Sequence, residues 1–377
     1  MEKRYLFTPG PTPVPPEVLA AMGAPVVHHR SPDFRPVYER CLARLREVCR
    51  TESDVLLFAA SGTGAFESAV VNLVSRGEPH LVVSAGSFGE RWAEMTSAYG
   101  ADVDHLRYEW GEIPDPDDVR ARLAAREAKA VWIVQSETST GVVADVQAIA
   151  AVAKEAGALV VVDAVSSLGA VPCETDAWGL DVVVSGSQKA LMTPPGLGLA
   201  AVSEAALAAT GSTPRFYFDW QRTRSAQRKL DAPFTPPVSL VSALDVALGL
   251  LLDEGLEAVF ERHVRLGRAA RAGAKAMGLE LFSPDDDRSA VVTAVRSPES
   301  AEIISGLRQR FGITLAGGQG DLKGKIFRIG HIGWFDVFDV TTALAAVEIV
   351  AADLGADIER GVAVTAALEA YEHSSVA

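Results

Sequence analysis

Two ionisable side chains come directly after apolar runs, at the points where strands of a parallel sheet would end. Asp163 follows Val160–Val162, and Lys189 follows Val182–Val184 after a short Ser-Gly-Ser-Gln turn. A carboxylate at the tip of a buried strand is costly unless a cation or hydrogen-bond donors meet it. Apolar residues 190–192 follow the lysine, which predicts a partly desolvated amine with a lowered pKa, a candidate Schiff-base nucleophile. Taken alone, a capping aspartate and a surface lysine are the ordinary alternatives.

Two further motifs are suited to anions. Ser61-Gly62-Thr63-Gly64 opens a predicted helix after the first apolar run, and its glycines, helix N–H groups and Thr63 hydroxyl suit a phosphate. The motif is neither a P-loop nor a dinucleotide fingerprint, and a tight turn with a Ser or Thr cap is the alternative for an isolated match. Arg328 lies in the apolar run Lys325–Gly330, where its planar guanidinium would pair with a carboxylate of a ligand or with an acid of the chain.

Together these four features match the needs of one cofactor, pyridoxal 5'-phosphate. The phosphate of this cofactor needs a cradle, and its aldehyde needs a lysine. Its ring nitrogen needs a carboxylate that keeps it protonated, so that the ring withdraws electrons from the substrate. The set therefore predicts pyridoxal phosphate bound between the cradle, Asp163 and Lys189.

The spacing of the apolar runs predicts an α/β fold that would bring these residues to one edge of a sheet. Short β-branched runs alternate with helical stretches between residues 55 and 202, which is typical of a parallel sheet covered on both faces. Ligands of such sheets bind beyond the carboxyl ends of the strands. The predicted strands are Val55–Ala59, Leu81–Ser84, Ala130–Gln135, Ala158–Val162, Asp181–Ser185 and Gly198–Val202, and the predicted helices are Phe66–Ser75, Gly89–Tyr99, Pro116–Arg126 and Val146–Ala156.

The pattern changes after residue 205. One long helical stretch is predicted from Ser239 to about Met277, and a smaller α/β segment follows it. The first dozen residues are rich in proline, which predicts a segment without regular structure that crosses the surface. We therefore predict an N-terminal segment (1–20), a large cofactor-binding domain (21–255) and a small C-terminal domain (256–377). In the small domain the predicted strands are Ala290–Val295 and Lys325–Gly330, and the predicted helices are Ser300–Phe311 and Val340–Leu354.

The composition limits the classes of partner that the protein is expected to bind. The chain has 377 residues, with 35 Lys and Arg against 49 Asp and Glu and a net charge of −14, which argues against a nucleic-acid partner. The apolar run Val246–Leu252 is too short to span a bilayer, and the Pro-rich start lacks a secretory signal, so no membrane partner is expected. Three cysteines (Cys41, Cys49 and Cys173) form neither an even framework nor a CxxC pair, which predicts reduced thiols and a cytoplasmic location. No His cluster has the spacing of a metal site.

The chain resembles the class V aminotransferases of fold type I, and among them the alanine/serine–glyoxylate aminotransferase group. The resemblance covers nearly the whole chain and implies a large domain with a mostly parallel sheet and a small C-terminal α/β domain. The motifs that carry it are T-P-G-P-T-P-V-P-P (8–16), S-G-T-G-A-F-E (61–67), S-E-T-S-T-G-V (136–142), V-V-D-A-V-S-S-L-G (161–169), S-G-S-Q-K-A-L (185–191), T-P-P-V-S-L (235–240) and F-R-I-G-H-I-G (327–333).

The resemblance implies a role for each matching residue. Lys189 would hold the cofactor as a Schiff base and move a proton, Asp163 would pair with the ring nitrogen, and Arg328 would clamp the substrate α-carboxylate. The other cofactor contacts implied are Val165 and Phe88 on the two ring faces, Thr138 at the phenolic oxygen, Thr63, Gly64, Ala65 and Gln188 at the phosphate, and Thr235 at the phosphate from a second subunit. Two positions depart from the family: Phe88 stands where Trp is common, and Ala232 where Tyr is often found.

The activity implied is transamination in ping-pong order by a homodimer with composite sites. A small amino acid (alanine, serine or aspartate) would give its amino group to glyoxylate or pyruvate. A 2-aminoethylphosphonate aminotransferase shares the S-E-T-x-T-G and F-R-I-G-x-I-G motifs and stays open as the alternative. A lyase of the desulfurase type is less favoured, because it needs a cysteine in the small domain and none of the three lies there.

Overall fold

The structure is a computed structural model that describes residues 3–373. None of the helices in this range is long and apolar enough to cross a membrane. The strands are β1 Tyr5–Leu6, β2 Asp54–Ala59, β3 Pro79–Ser84, β4 Asp102–Arg107, β5 Ala130–Val134, β6 Ser136–Glu137, β7 Val142–Val143, β8 Leu159–Asp163, β9 Val182–Gly186, β10 Leu197–Val202, β11 Val292–Arg296, β12 Ile313–Thr314, β13 Ala316–Gly317 and β14 Ile326–Gly330. The helices are α1 Pro16–Met22, α2 Arg35–Cys49, α3 Gly62–Leu73, α4 Ser87–Ala98, α5 Pro116–Ala125, α6 Val146–Glu155, α7 Glu204–Ala208, α8 Trp220–Gln227, α9 Val238–Glu254, α10 Leu256–Ala276, α11 Ser300–Phe311, α12 Val337–Asp353 and α13 Val362–Glu372, with a 3-10 turn at Gly320–Leu322.

The main sheet has the strand order β2-β10-β9-β8-β5-β3-β4. Strand β10 is antiparallel to both of its neighbours, and the strands from β9 to β4 are parallel to one another. Because the reversed β10 separates β2 from β9, β2 runs in the same direction as the parallel strands. The carboxyl ends of β2, β3, β5, β8 and β9 therefore meet at one edge, and the predicted mostly parallel α/β fold is confirmed.

Helices cover both faces of this sheet, which explains why its strands are apolar along their whole length. In β8, Val160 and Val162 belong to the hydrophobic cluster on one face and Val161 belongs to the cluster on the other. Successive side chains of a strand point to opposite faces, so both sets must be apolar. On the second face the rings of Phe66 (α3) and Trp92 (α4) stack with centroids 4.3 Å apart and planes 5° apart. This contact fixes the two helices whose first turns lie at the carboxyl edge.

The C-terminal part has its own antiparallel sheet, in the order β11-β14-β13, and its own hydrophobic cluster. The prediction of one long helix from Ser239 to Met277 is wrong, because the stretch forms two helices, α9 and α10. Gly255 ends the first and begins the second with φ +86° and ψ 131°, a conformation outside the helical region. The two sheets fall on either side of residue 256, and the domain boundaries stay a prediction.

The N-terminal segment does not cross the surface, contrary to the prediction. Strand β1 pairs in parallel with β12 of the C-terminal part, and Phe7 is buried in the hydrophobic cluster there. Further along, the Thr12 amide donates a hydrogen bond to the carbonyl of Gln188, 3.2 Å away. The prediction rested on the prolines and took no account of the apolar residues Tyr5, Leu6 and Phe7, of which Tyr5 and Phe7 pack against the hydrophobic cluster of the C-terminal part.

Candidate active site

A cavity lies at the carboxyl edge of the main sheet, among the loops that follow β2, β3, β5, β8 and β9. The topology places these loops together, since the five strands share one direction. Residues predicted from the sequence line this cavity together with others that were not predicted. Its lining consists of Ser61, Gly62, Thr63, Phe66, Phe88, Arg91, Ser136, Asp163, Val165, Ser166, Gln188 and Lys189.

Lys189 brings a buried amine into the cavity. Its side chain is about nine-tenths buried, as the apolar residues after it predict, and its Nζ donates a 2.7 Å hydrogen bond to the carbonyl of Pro9. Burial lowers the pKa of Lys189 to about 8, the charge of Asp163 opposes this shift, and the charge of Arg328 adds to it. A fraction of the amine is therefore neutral near pH 7, which is the form that attacks a carbonyl carbon.

Asp163 ends β8 and brings a buried carboxylate into the same cavity. Its Oδ1 accepts a 2.8 Å hydrogen bond from the amide of Val165. Burial raises the pKa of Asp163 to about 8; the charge of Glu137 raises it further, and the cations Lys189 and Arg91 lower it. A carboxylate in this environment gains stability from a cationic group placed against it, as a protonated ring nitrogen would be.

Ser61 and the first turn of α3 form part of the cavity wall, although not with every residue that was predicted. The Ser61 side chain caps the helix by accepting from the Gly64 amide at 3.3 Å, and the Ala65 amide bonds to the Ser61 carbonyl at 3.1 Å. Thr63 lines the cavity, whereas Gly64 and Ala65 lie outside its lining. Gly62 packs so closely on Val165 that a Cβ there would lie 2.9 Å from its Cγ2.

Arg328 and Thr138 meet beside the cavity rather than in its lining. The Nη1 of Arg328 donates to the Thr138 carbonyl at 2.6 Å, and its Nε donates to the Gly317 carbonyl at 2.9 Å. Burial lowers the pKa of this arginine to about 10, and the charge of Glu137 opposes the shift. No ion pair within residues 3–373 includes Arg328, so the alternative of a partner acid in the chain is wrong.

Thr235 lies apart from the cavity. It is exposed and lines a separate, open groove together with His28, His29 and residues 236–240. Within one chain it therefore does not reach the residues around Lys189. Its predicted contact with the cofactor of a second subunit stays a prediction.

Comparison with known proteins places the chain in one family. Residues 4–322 match the family model described as aminotransferase class-V. The chain belongs to this family. It is similar to the "Soluble hydrogenase 42 kDa subunit" of Anabaena cylindrica (45% identity, covering 99% of this chain and 100% of that protein) and to the serine–glyoxylate aminotransferase of Methylorubrum extorquens (38%, 97% and 95%). It superposes on the crystal structure of ureidoglycine–glyoxylate aminotransferase from Bacillus subtilis with a TM-score of 0.94 (33%, 99% and 99%).

The chain is thus a pyridoxal-phosphate-dependent aminotransferase, and its cavity fits the cofactor. The buried Oε1 of Gln188 and Oγ of Ser136 have no hydrogen-bond partner among the described residues, so the cavity offers polar groups to a ligand. The amine of Lys189 and the carboxylate of Asp163 are the groups that the aldehyde and the ring nitrogen of the cofactor require.

A buried glutamate that sequence reasoning did not single out holds one wall of this aminotransferase site. The Oε2 of Glu137 accepts from the amides of Phe88 and Gly89, both at 3.0 Å, and its Oε1 accepts from Ser139. Helix α4 has Gly86 at its N-cap and no side-chain cap of its own, so Glu137 satisfies its first amides from the end of β6. Two features of the sequence could have indicated this role: an acid within a strand-end motif, and a helix whose N-cap residue is a glycine.

Proposed function

We propose that this class V aminotransferase transfers the amino group of a small amino acid (alanine, serine or aspartate) to glyoxylate or pyruvate in ping-pong order. The buried amine of Lys189 beside the carboxylate of Asp163 is the observation that carries the proposal. Two relatives support the acceptor, since serine–glyoxylate and ureidoglycine–glyoxylate aminotransferases both have glyoxylate in their names. The hydrogenase name belongs to the Anabaena relative, and the lysine cavity favours transamination for this chain.

In the proposed reaction Lys189 holds the cofactor and then moves a proton at the substrate α-carbon. Its lowered pKa lets the amine accept and release that proton near neutral pH. When bound, the cofactor supplies the electron-withdrawing ring, and Asp163 keeps the ring nitrogen protonated. Phe88 and Val165 would contact the ring, and Thr63 and Gln188 would bind its phosphate. Gly64 and Ala65 belong to the same first turn of α3 as Thr63.

Arg328 binds the α-carboxylate of the amino acid and of the 2-oxo acid. Two backbone carbonyls hold its guanidinium in place, and neither carries a charge that would neutralise it. Arg328→Lys keeps the charge and loses the planar fork, whereas Arg328→Ala loses both. We expect both variants to bind the cofactor covalently and to show a raised KM for donor and acceptor, with Ala worse than Lys. An unchanged KM in Arg328→Ala would refute this role.

A scan of amino donors against glyoxylate and pyruvate, coupled to detection of the 2-oxo acid product, tests the proposed substrates. We expect alanine, serine or aspartate to be the best donor. The same scan includes 2-aminoethylphosphonate, which lacks an α-carboxylate. If that amine is preferred, the chain is a phosphonate aminotransferase instead, and Arg328 then contacts the oxo acid or the phosphonate.

We also propose that the enzyme is a homodimer whose Thr235 reaches the cofactor phosphate of the partner subunit. The exposed position of Thr235 in an open groove supports this, since Thr235 is not among the residues that line the cavity around Lys189 in its own chain. Exposed aromatic residues nearby support it as well: Phe216 and Tyr217 are 63% and 41% exposed, and the Tyr217 ring stacks on Phe234 at 4.9 Å. A fully active monomer in light scattering would contradict the dimer.

Two further assignments belong to this proposal. A cytoplasmic location is supported by Cys41, Cys49 and Cys173, all buried and free of disulfide bonds.

The division into residues 1–20, 21–255 and 256–377 is supported by Gly255, where the chain passes from α9 to α10 between the two sheets. Limited proteolysis that yields fragments ending near residue 255 would test the boundary.

A further inference from the structure

One cation in the cavity wall has no role in the reaction described so far. Arg91 lies on α4, half-buried, and lines the same cavity as Lys189 and Asp163. Its Nη1 donates a 3.1 Å hydrogen bond to the hydroxyl of Thr63. None of the ion pairs found in residues 3–373 includes Arg91, so its guanidinium has no carboxylate of these residues within 4 Å.

The same guanidinium also holds the ring of Phe88. The Arg91 Cζ lies 4.9 Å from the ring centroid, within the range of a cation–π contact. Arg91 follows Phe88 by three residues on α4, so the two side chains lie on one face of the helix. Arg91 thus touches both the residue proposed for the phosphate and the residue proposed for the ring face.

The hydrogen bond to Thr63 has a direction that matters for an anion. A hydroxyl has one hydrogen to donate and two lone pairs that accept. Because Arg91 has no acceptor on its guanidinium, it must donate, and the Thr63 oxygen accepts. The hydroxyl hydrogen of Thr63 therefore remains free to donate to a phosphate oxygen, which is an acceptor only.

We propose that Arg91 is a positioning residue for cofactor binding, which orients the Thr63 hydroxyl toward the phosphate and supplies a positive charge beside it. This rests on the proposed placement of the cofactor in the cavity. A phosphate group near pH 7 carries close to two negative charges, and an unpaired guanidinium in a partly desolvated wall is well suited to balance them. The contact with Phe88 couples this phosphate side to the ring face.

The test compares two cofactors that differ only in the phosphate. The dissociation constants of pyridoxal phosphate and of pyridoxal are measured by absorbance on enzyme stripped of its cofactor, for the wild type, Arg91→Lys and Arg91→Gln. Arg107→Gln is the matched control, since it removes an arginine from the neighbouring β4 that is 63% exposed and 3.6 Å from Glu90. We expect Arg91→Gln to weaken pyridoxal phosphate by about tenfold more than pyridoxal, because a hydrogen bond that involves charge is lost. The loss of affinity in Arg91→Lys should lie between those of the wild type and Arg91→Gln, and Arg107→Gln should have the dissociation constants of the wild type.

The outcomes separate this inference from the proposed function. If Arg91→Gln weakens both ligands by the same factor, Arg91 supports the ring only, and the phosphate role is refuted. If neither constant changes, Arg91 has no role in binding. If Arg91→Gln unfolds, Arg91→Lys decides, since a ratio equal to that of the wild type would refute the inference. Borohydride reduction of the wild-type holoenzyme followed by peptide mapping tests where the cofactor binds. A label on any lysine other than Lys189 would overturn the proposed site itself, and with it the role of Arg91.

Discussion

A methyl group on Gly10 would collide with the amine that we propose to be catalytic, although Gly10 lies 179 residues before Lys189. The Cβ of an alanine at position 10 would lie 2.4 Å from both the Cδ and the Nζ of Lys189, whereas ordinary van der Waals contact begins at 3.4 Å. The lysine must therefore move by about 1 Å, a displacement that costs on the order of a hundredfold in rate at a reacting centre. Gly10 also has φ +139°, which adds about 1–3 kcal/mol of backbone strain to the alanine variant.

The assay is kcat with glyoxylate as acceptor, measured beside the free energy of unfolding in urea. Gly157→Ala is the matched control, because Gly157 has φ +74° and its Cβ would meet no atom within 4 Å. We expect Gly10→Ala to lose about a hundredfold in kcat while it remains folded. Gly157→Ala should lose only stability, by about 1–2 kcal/mol. A Gly10→Ala variant with wild-type kcat, or an equal kcat loss in both variants, would refute the steric argument.

Three other expectations follow from the buried ionisable groups. Asp163→Asn should lose activity by orders of magnitude, and yet the variant without cofactor should be no less stable than the wild type at pH 8. Burial raises the pKa of Asp163 to about 8, above its value in the unfolded chain. Ionisation of this carboxyl therefore disfavours the folded state at any pH above the unfolded pKa, and Asn removes that cost. Urea unfolding and kcat check both, and near-normal kcat would exclude the ring-nitrogen role. Covalent incorporation of pyridoxal phosphate into stripped enzyme should rise with pH around a midpoint of about 8, the lowered pKa of Lys189, and a midpoint above 10 would show an ordinary exposed amine. The Glu137 carboxylate accepts four hydrogen bonds, and Glu137→Gln replaces one of its two accepting oxygens with a donating NH2 group. This variant should lower the free energy of unfolding by about 2–3 kcal/mol. The control Glu94→Gln, at an exposed position on α4, should leave the free energy of unfolding unchanged.

The elements buried on both faces were the most predictable from the sequence. For β8 and β9 the predicted strands differ from the structure by one residue at each end, because an unbroken apolar run marks a strand that is covered on both faces. The polar edge strand β4, with the sequence Asp-Val-Asp-His-Leu-Arg, was not predicted. It has one neighbour in the sheet, so its composition carries little of the apolar signal.

Asp163 and Lys189, which we propose to act directly on the cofactor, were predictable because each follows an apolar run, Asp163 directly and Lys189 after a short turn. Glu137 and Arg91 were harder to predict, since their importance comes from partners on other elements. Glu137 bonds to amides 48 and 49 residues earlier, and Arg91 bonds to a hydroxyl 28 residues earlier. Their local sequence shows an acid in a motif and a basic residue on a helix. The packing of α3 against α4 brings Arg91 to Thr63, and the packing of β6 against α4 brings Glu137 to the amides of that helix.

The N-terminal segment contacts both the strand that carries Arg328 and the side chain of Lys189. The Gly330 amide, at the end of the strand that carries Arg328, donates to the carbonyl of Phe7 at 2.9 Å. Two residues later the Pro9 carbonyl accepts from the Lys189 amine at 2.7 Å. A Cβ at Gly330 would lie 2.4 Å from the carbonyl oxygen of Thr8, so the segment passes too close for any side chain there. The residue proposed to bind the substrate carboxylate and the lysine proposed to move its proton are therefore held in register by the same few residues of the N-terminal segment.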